Sequence, residues 1–170
     1  INAGDSVRLD WTSTNAQKVS VSSSTGAVSY PDMNFTNGNI TNIYPKVDTT
    51  YTAVAKNAAK STSPKSVTVR IGRPTISGFT ANGITKKVII FEGQEVRLDW
   101  DANSTEQIWI NGLDDKLNAT IKTYAAGEVT GLKPKLKGIF DSTATYTYTL
   151  RAWNQQWGFA DEVTVIVEVQ

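Results

Sequence analysis

The chain contains no histidine and no cysteine. Without histidine there is no imidazole to act as a general base, to complete a Ser-His-Asp triad or to ligate a metal. Without cysteine there is no thiolate nucleophile, no zinc cluster and no disulfide. A cysteine-free chain suits a reducing cytosol, and it equally suits bacterial and phage surface proteins, so the compartment stays open. Charge of one sign is not in excess: 17 Lys and Arg against 16 Asp and Glu leave a net of +1. With no basic stripe either, nucleic acid is not an expected partner. No apolar run approaches the roughly 20 residues of a spanning helix, so membrane insertion is not expected. The chain opens on Ile1 with no signal peptide and reads as a mature or excised fragment. Hydrophobic residues at 39% and charged residues at 19% give the balance of a soluble globular fold.

Within that composition the chain repeats itself. Gly4-Asp5-Ser6-Val7-Arg8-Leu9-Asp10-Trp11 recurs as Gly93-Gln94-Glu95-Val96-Arg97-Leu98-Asp99-Trp100, six of eight positions being identical at an offset of 89. Thr50-Tyr51-Thr52-Ala53-Val54-Ala55-Lys56-Asn57 meets Thr147-Tyr148-Thr149-Leu150-Arg151-Ala152-Trp153-Asn154 at an offset of 97. Ser66-Val67-Thr68-Val69 meets Glu162-Val163-Thr164-Val165 at an offset of 96. Three blocks in one order, with a slowly drifting offset, signify duplication with small loop insertions.

The blocks alternate with a period of two, as half-buried strands do. Val7, Leu9 and Trp11 alternate with Arg8 and Asp10, and Val96, Leu98 and Trp100 repeat the pattern. Thr, Val, Ile and Tyr dominate and favour a pleated backbone. Short strands separated by turn signals predict a sandwich or barrel, hence an all-β fold. Lys116 to Ala126 has mixed apolar spacing but no clear cap and several β-formers, so no helix is predicted there. Ile71-Gly72-Arg73-Pro74 is the junction, which divides the chain into 1–72 and 73–170. A short proline linker implies restricted motion between the two. Three residues precede Gly4, whereas about twenty separate Pro74 from Gly93, so the first copy lacks its first strand or takes that strand from elsewhere.

The order Gly-x-x-Val-x-Leu-x-Trp, Thr-Tyr-Thr-x-x-Ala-x-Asn, Val-Thr-Val resembles bacterial immunoglobulin-like domains, twice over nearly the whole chain. The resemblance implies two tandem seven-strand sandwiches with Greek-key connections, the first lacking part of its N-terminal strand. It places Gly4 and Gly93 at the turn into strand B, Val19-Val21 and Ile108-Ile110 in strand C, and Tyr51 and Tyr148 at the tyrosine corner of strand F. Trp11 with Ala53, and Trp100 with Leu150, would stand where antibody-type domains carry the disulfide. Trp11, Tyr51, Trp100 and Tyr148 are therefore expected in the core. Such domains are typical of bacterial surface proteins, adhesins, accessory modules of secreted enzymes, surface layers and phage virions.

The copies differ on the outward face of strands C and F. If Ile108 and Ile110 point inward, Trp109 points out; if Leu150 and Ala152 point inward, Arg151 and Trp153 point out. The first copy has Ser20 and Lys56 at the two tryptophan positions, and Trp157 and Phe159 follow across the next turn of the second copy. Trp109, Arg151, Trp153, Trp157 and Phe159 are thus the candidate binding residues, as exposed tryptophans beside arginine mark protein interfaces or sugar-stacking platforms. The competing expectation is that a long loop or the neighbouring domain covers them, or that a bulge turns Trp109 inward.

Other clusters point to ordinary surface chemistry. Arg8 with Asp10 and Arg97 with Asp99 read as charged pairs on a solvated sheet face. Asp99, Asp101, Asn103 and Glu106, with Asp114 and Asp115 after strand C, could attract calcium, but they lack the glycine and terminal glutamate of an EF-hand loop. No metal or other cofactor is expected. Nothing places two carboxylates across a cleft for glycoside hydrolysis, so an enzyme is not expected. Sequons at Asn34, Asn39, Asn103 and Asn118 fit chance in a chain rich in Asn, Ser and Thr.

The expected function is a non-catalytic structural or adhesive module on a bacterial or virion surface. The first copy would serve as spacer, and the second would meet a protein partner or further copies of itself. A carbohydrate-binding module and an inert accessory domain of a larger secreted enzyme are the alternatives.

Overall fold

The computed structural model describes residues 1–34, 36–112, 120–122 and 125–170. Asp114, Asp115, Asn118 and most of the segment considered for a helix lie outside the described residues. The chain splits into two compact units, Ala3–Gly72 with Ile1 and Arg73–Gln170 with Asn2.

Among the described residues unit 1 has six strands. β1 (Val7–Trp11) pairs with β4 (Gly38–Ile43) in a two-stranded sheet. β2 (Lys18–Ser23), β3 (Ser29–Met33), β5 (Thr49–Lys56) and β6 (Lys65–Val69) form a second sheet in the order β3-β2-β5-β6. Val19, Val21, Val28 and Tyr51 are buried between the sheets, with Leu9, Trp11, Ile40 and Ile43 packed against them from the first sheet.

Among the described residues unit 2 has eight strands. β7 (Thr75–Ala81), β9 (Val96–Asn103) and β12 (Ala126–Leu132) form one sheet in the order β12-β9-β7. β8 (Lys87–Ile90), β10 (Gln107–Asn111), β11 (Thr120–Lys122), β13 (Ala144–Asn154) and β14 (Gly158–Val169) form the other, in the order β11-β10-β13-β14-β8. All pairings are antiparallel except β8 with β14, which is parallel. The core is filled from both sheets, by Phe79, Leu98 and Trp100 on one side and Ile108, Ile110, Leu150 and Val165 on the other.

Both units are immunoglobulin-like β-sandwiches. β1, β2, β4, β5 and β6 are strands B, C, E, F and G; β9, β10, β12, β13 and β14 are their counterparts. Among the described residues the seven strands implied by the family pattern become six and eight. In unit 2 the first strand splits into β7, which pairs with strand B, and β8, which crosses to strand G. Among the described residues unit 1 has neither.

The glycine that opens strand B has a backbone reason in both units: Gly4 and Gly93 have φ of +90° and +86°, a region that side chains with a Cβ rarely enter. A second glycine is matched as well. Trp11 lies opposite Gly38, and Trp100 opposite Gly127, across the B–E ladder. A Cβ on Gly38 would stand 2.6 Å from the Trp11 indole, and one on Gly127 2.3 Å from that of Trp100. Each indole occupies the space of the side chain that its neighbour lacks.

Two expectations need correction. The strand G match slips by two residues: Tyr51 pairs with Val67 and Tyr148 with Val165, so Val67 corresponds to Val165 rather than Val163. A slip of two keeps every side chain on its own face, so alternation alone could not detect it. Tyr146 ties the start of β13 to the preceding connection, its hydroxyl donating to Lys135 O at 2.6 Å and accepting from Lys135 N at 3.2 Å. Tyr148, two residues on, is buried in the core. In unit 1 Thr49 stands at the Tyr146 position, and its hydroxyl donates to Val47 O at 2.8 Å. Finally, Trp100 is a core residue at 5% exposure, whereas Trp11 is half-buried, and among the described residues no strand lies beside β1 on the side away from β4.

Candidate functional site

The sheet β10-β13-β14 determines where the candidate residues stand. Trp109 lies opposite Arg151 and Gln107 opposite Trp153; Arg151 lies opposite Glu162 and Trp153 opposite Phe159. Ile108, Ile110, Leu150 and Ala152 are buried in the core, so alternation turns Trp109, Arg151 and Trp153 outward. The ladder shifts register between Ala152 and Trp153. This irregularity sits on the β13–β14 side, so it leaves Trp109 outward and brings Phe159 beside Trp153.

The rings meet in specific geometry. Trp109 and Phe159 pack edge to face, with centroids 5.8 Å apart and planes at 77°, the arrangement that the ring quadrupoles favour. The Arg151 guanidinium lies 5.9 Å from the Phe159 centroid, within cation–π range. Its Nε also donates to Glu162 at 2.5 Å, and Trp109 Nε1 donates to Gln107 Oε1 at 3.2 Å. Trp109, Arg151 and Trp153 are half-buried, and Phe159 keeps 51% of its surface exposed. A shallow depression of about 420 Å³ is lined by Arg151, Phe159, Asp161 and Glu162. Trp157, also 51% exposed, stands in the β13–β14 turn, where its N–H donates to Asn154 Oδ1 at 2.9 Å. Asn154 is itself buried and donates to Ser104 O at 2.7 Å, which anchors that turn.

The same face of unit 1 carries different chemistry. The Ser20 hydroxyl turns to Val54 O at 3.5 Å. Lys56 Nζ reaches Asp32 at 3.3 Å, with Lys18 at 4.0 Å from the same carboxylate. These pairs are half-exposed, so each contributes little to stability.

The remaining candidates settle on the surface. Arg8 binds Asp10 at 2.7 Å, while Arg97 binds Asp99 at 2.6 Å and Glu128 at 2.8 Å. Among the described residues no group of three acidic side chains is close enough to hold a metal ion. One exposed apolar feature escaped the sequence reading. In the connection between β12 and β13, a tight turn from Gly138 to Asp141 leaves Ile139 and Phe140 at 96% and 97% exposure. The available signal was that the second copy is longer just before strand F.

No protein-family model matches the chain, and no curated protein matches it. Among solved structures it is similar to fibronectin(III)-like modules of Clostridium thermocellum CbhA, at 13% identity over 99% of this chain and 87% of that one, with a TM-score of 0.40. It is also similar to a chimeric titin Z1Z2–Z1Z2 tandem, at 15% identity over 99% of this chain and 92% of that one, with a TM-score of 0.41.

Proposed function

We propose that the chain is a non-catalytic, extracellular structural and adhesive module of a bacterial surface or virion protein, and that unit 2 offers the outer face of β10, β13 and β14 to a protein partner. The observation that supports this reading is the Trp109–Phe159–Arg151 cluster, present on one unit and replaced on the other by Ser20 and the Lys56–Asp32 pair. Aromatic rings beside arginine are what protein interfaces concentrate at their centres. A flat sugar-stacking platform needs an open ring face. Here one ring packs edge-on against another, and Arg151 lies within cation–π range of the Phe159 ring, which favours protein over glycan as the ligand.

The test presents the chain and a Trp153→Ser/Phe159→Ser double variant to arrayed secreted proteins and arrayed glycans. The reading expects protein binding that the double variant loses, with the melting temperature of unit 2 nearly unchanged. Glycan binding lost in the variant would instead make unit 2 a carbohydrate-binding module, and protein binding retained by the variant would remove this face from the contact.

A further inference from the structure

The two copies of the sandwich carry opposite charge. Residues 1–72 have seven Lys and Arg against four Asp and no Glu, a net of +3, whereas residues 73–170 have ten against twelve, a net of −2. The imbalance extends to equivalent sheet faces. On the outer face of β2 and β5, Lys18 and Lys56 stand opposite each other in the ladder. Both lean on one carboxylate: Asp32 lies 3.3 Å from Lys56 Nζ and 4.0 Å from Lys18 Nζ. Two ammonium groups share one negative charge, so this half-exposed patch stays positive.

The equivalent face of unit 2 has the reverse balance. Glu162 neutralises Arg151, whose Nε donates to it. Asp161 accepts from Ile76 N at 2.7 Å and from Glu162 N at 3.0 Å, and among the described residues no cation stands against it. The depression that Asp161 and Glu162 share with Arg151 and Phe159 is therefore negative, with an aromatic ring in its wall. An ammonium group suits that combination, since it gains a Coulomb partner and a ring quadrupole together. A carboxylate or a phosphate would meet repulsion from both.

We propose that the occupant of the aromatic face is a second copy of this chain: the Lys18–Lys56 face of unit 1 in one copy docks on the Arg151–Phe159–Glu162 face of unit 2 in the next. The inference rests on the reading of that face as a protein contact and gives the contact its partner. The two ammonium groups meet Asp161 and Glu162, and the lysine stems lie along Phe159 and Trp153. The contact joins two different surfaces, so one copy can dock on a neighbour and also receive one. Attraction between a positive and a negative unit steers the encounter, and salt weakens it.

The test is sedimentation of the full chain over a range of concentrations at low and high salt. The expected result is a mean mass that rises with concentration and falls as salt is added. A Lys18→Glu/Lys56→Glu chain and a Glu162→Lys chain should each self-associate about tenfold more weakly or worse. Mixing the two should restore association, because the mixture offers a matched unit 1 and unit 2 on different chains. If Glu162→Lys upsets unit 2 by breaking the Arg151 pair, the double lysine variant still decides, since it leaves unit 2 untouched. A chain that stays monomeric at low salt up to about 1 mM overturns the proposal. If arrayed secreted proteins then still bind, and the Trp153→Ser/Phe159→Ser variant still loses them, the face remains a protein contact with a different partner. Association that survives Lys18→Glu/Lys56→Glu but is lost in Phe159→Ser would be unit 2 meeting unit 2, and overturns the proposal as well. So does a mixture of the two charge variants that fails to associate.

Discussion

Leu9 and Leu98 hold the same position in two copies of strand B, and Val67 and Val165 hold the same position in two copies of strand G. In unit 2 both residues are fully buried; in unit 1 Leu9 is half-buried and Val67 is 54% exposed. Neither the residue types nor their alternation differ, so the contrast comes from what lies beside them. Burial in a sandwich requires strands on both sides, and among the described residues unit 1 has none beside β1 and β6 where unit 2 has β7 and β8. The outer face differs in residue identity and in pairing together: Trp109 and Trp153 stand where unit 1 has Ser20 and Lys56, and the F–G ladder runs on to Asn154 and Gly158 in unit 2, whereas that of unit 1 is regular from Thr49 to Ala53.

Substitutions that read the core of each unit separately should give the largest contrast. Leu98→Ala should lower the stability of unit 2 by about 2–5 kcal/mol, since it leaves a cavity in a filled core. Leu9→Ala should lower that of unit 1 by only about 1 kcal/mol, because solvent already reaches the site. Unfolding followed by NMR signals assigned to each unit separates the two, and equal losses would break the comparison. Next in size, Gly127→Ala forces a methyl group to within 2.3 Å of the enclosed Trp100 indole and should cost about 1–3 kcal/mol. Gly38→Ala should cost less, because Trp11 is only half-buried and can move; denaturant midpoints of the two variants give the ranking.

Tyr146→Phe removes a hydroxyl that is bonded in both directions to Lys135 and should cost unit 2 about 1 kcal/mol, read from its thermal transition. The smallest effect sharpens the view of the one core that is open. Burial pushes the Tyr51 phenol above its usual range, and the Thr49 hydroxyl opposes this in part. The folded state then holds the proton more tightly than the unfolded chain. Its contribution is complete below the ordinary tyrosine pKa of about 10 and is lost as pH rises through the raised value. Unit 1 should therefore weaken at alkaline pH, and Tyr51→Phe should flatten that part of its stability profile.

Much of this was legible in the sequence where residue type and period carry the information. The glycine at the turn into strand B, the inward Val-Leu-Trp triplets and the outward places of Trp109, Arg151 and Trp153 follow from alternation and one duplicated motif. Relations between strands were harder to read. The two-residue slip of strand G and the Trp–Gly pairs depend on register, which a period of two does not specify. The edge-to-face contact of Trp109 with Phe159 depends on a ladder irregularity at Ala152 and Trp153 that no local residue signals. The extent to which the core of unit 1 lies open became visible only when Val67 and Val165 could be matched.

Amide hydrogen exchange of the full chain tests the central contrast most directly. Thr68 and Ile166 are equivalent positions on the same edge of strand G, and among the described residues only Ile166 has a strand beside it, donating to Lys86 O at 2.9 Å. The account predicts that the Thr68 amide of the isolated chain exchanges faster than that of Ile166 by orders of magnitude, with Arg70 likewise unprotected. Protection of Thr68 equal to that of Ile166 would mean that the edge of unit 1 is already covered, and would contradict it.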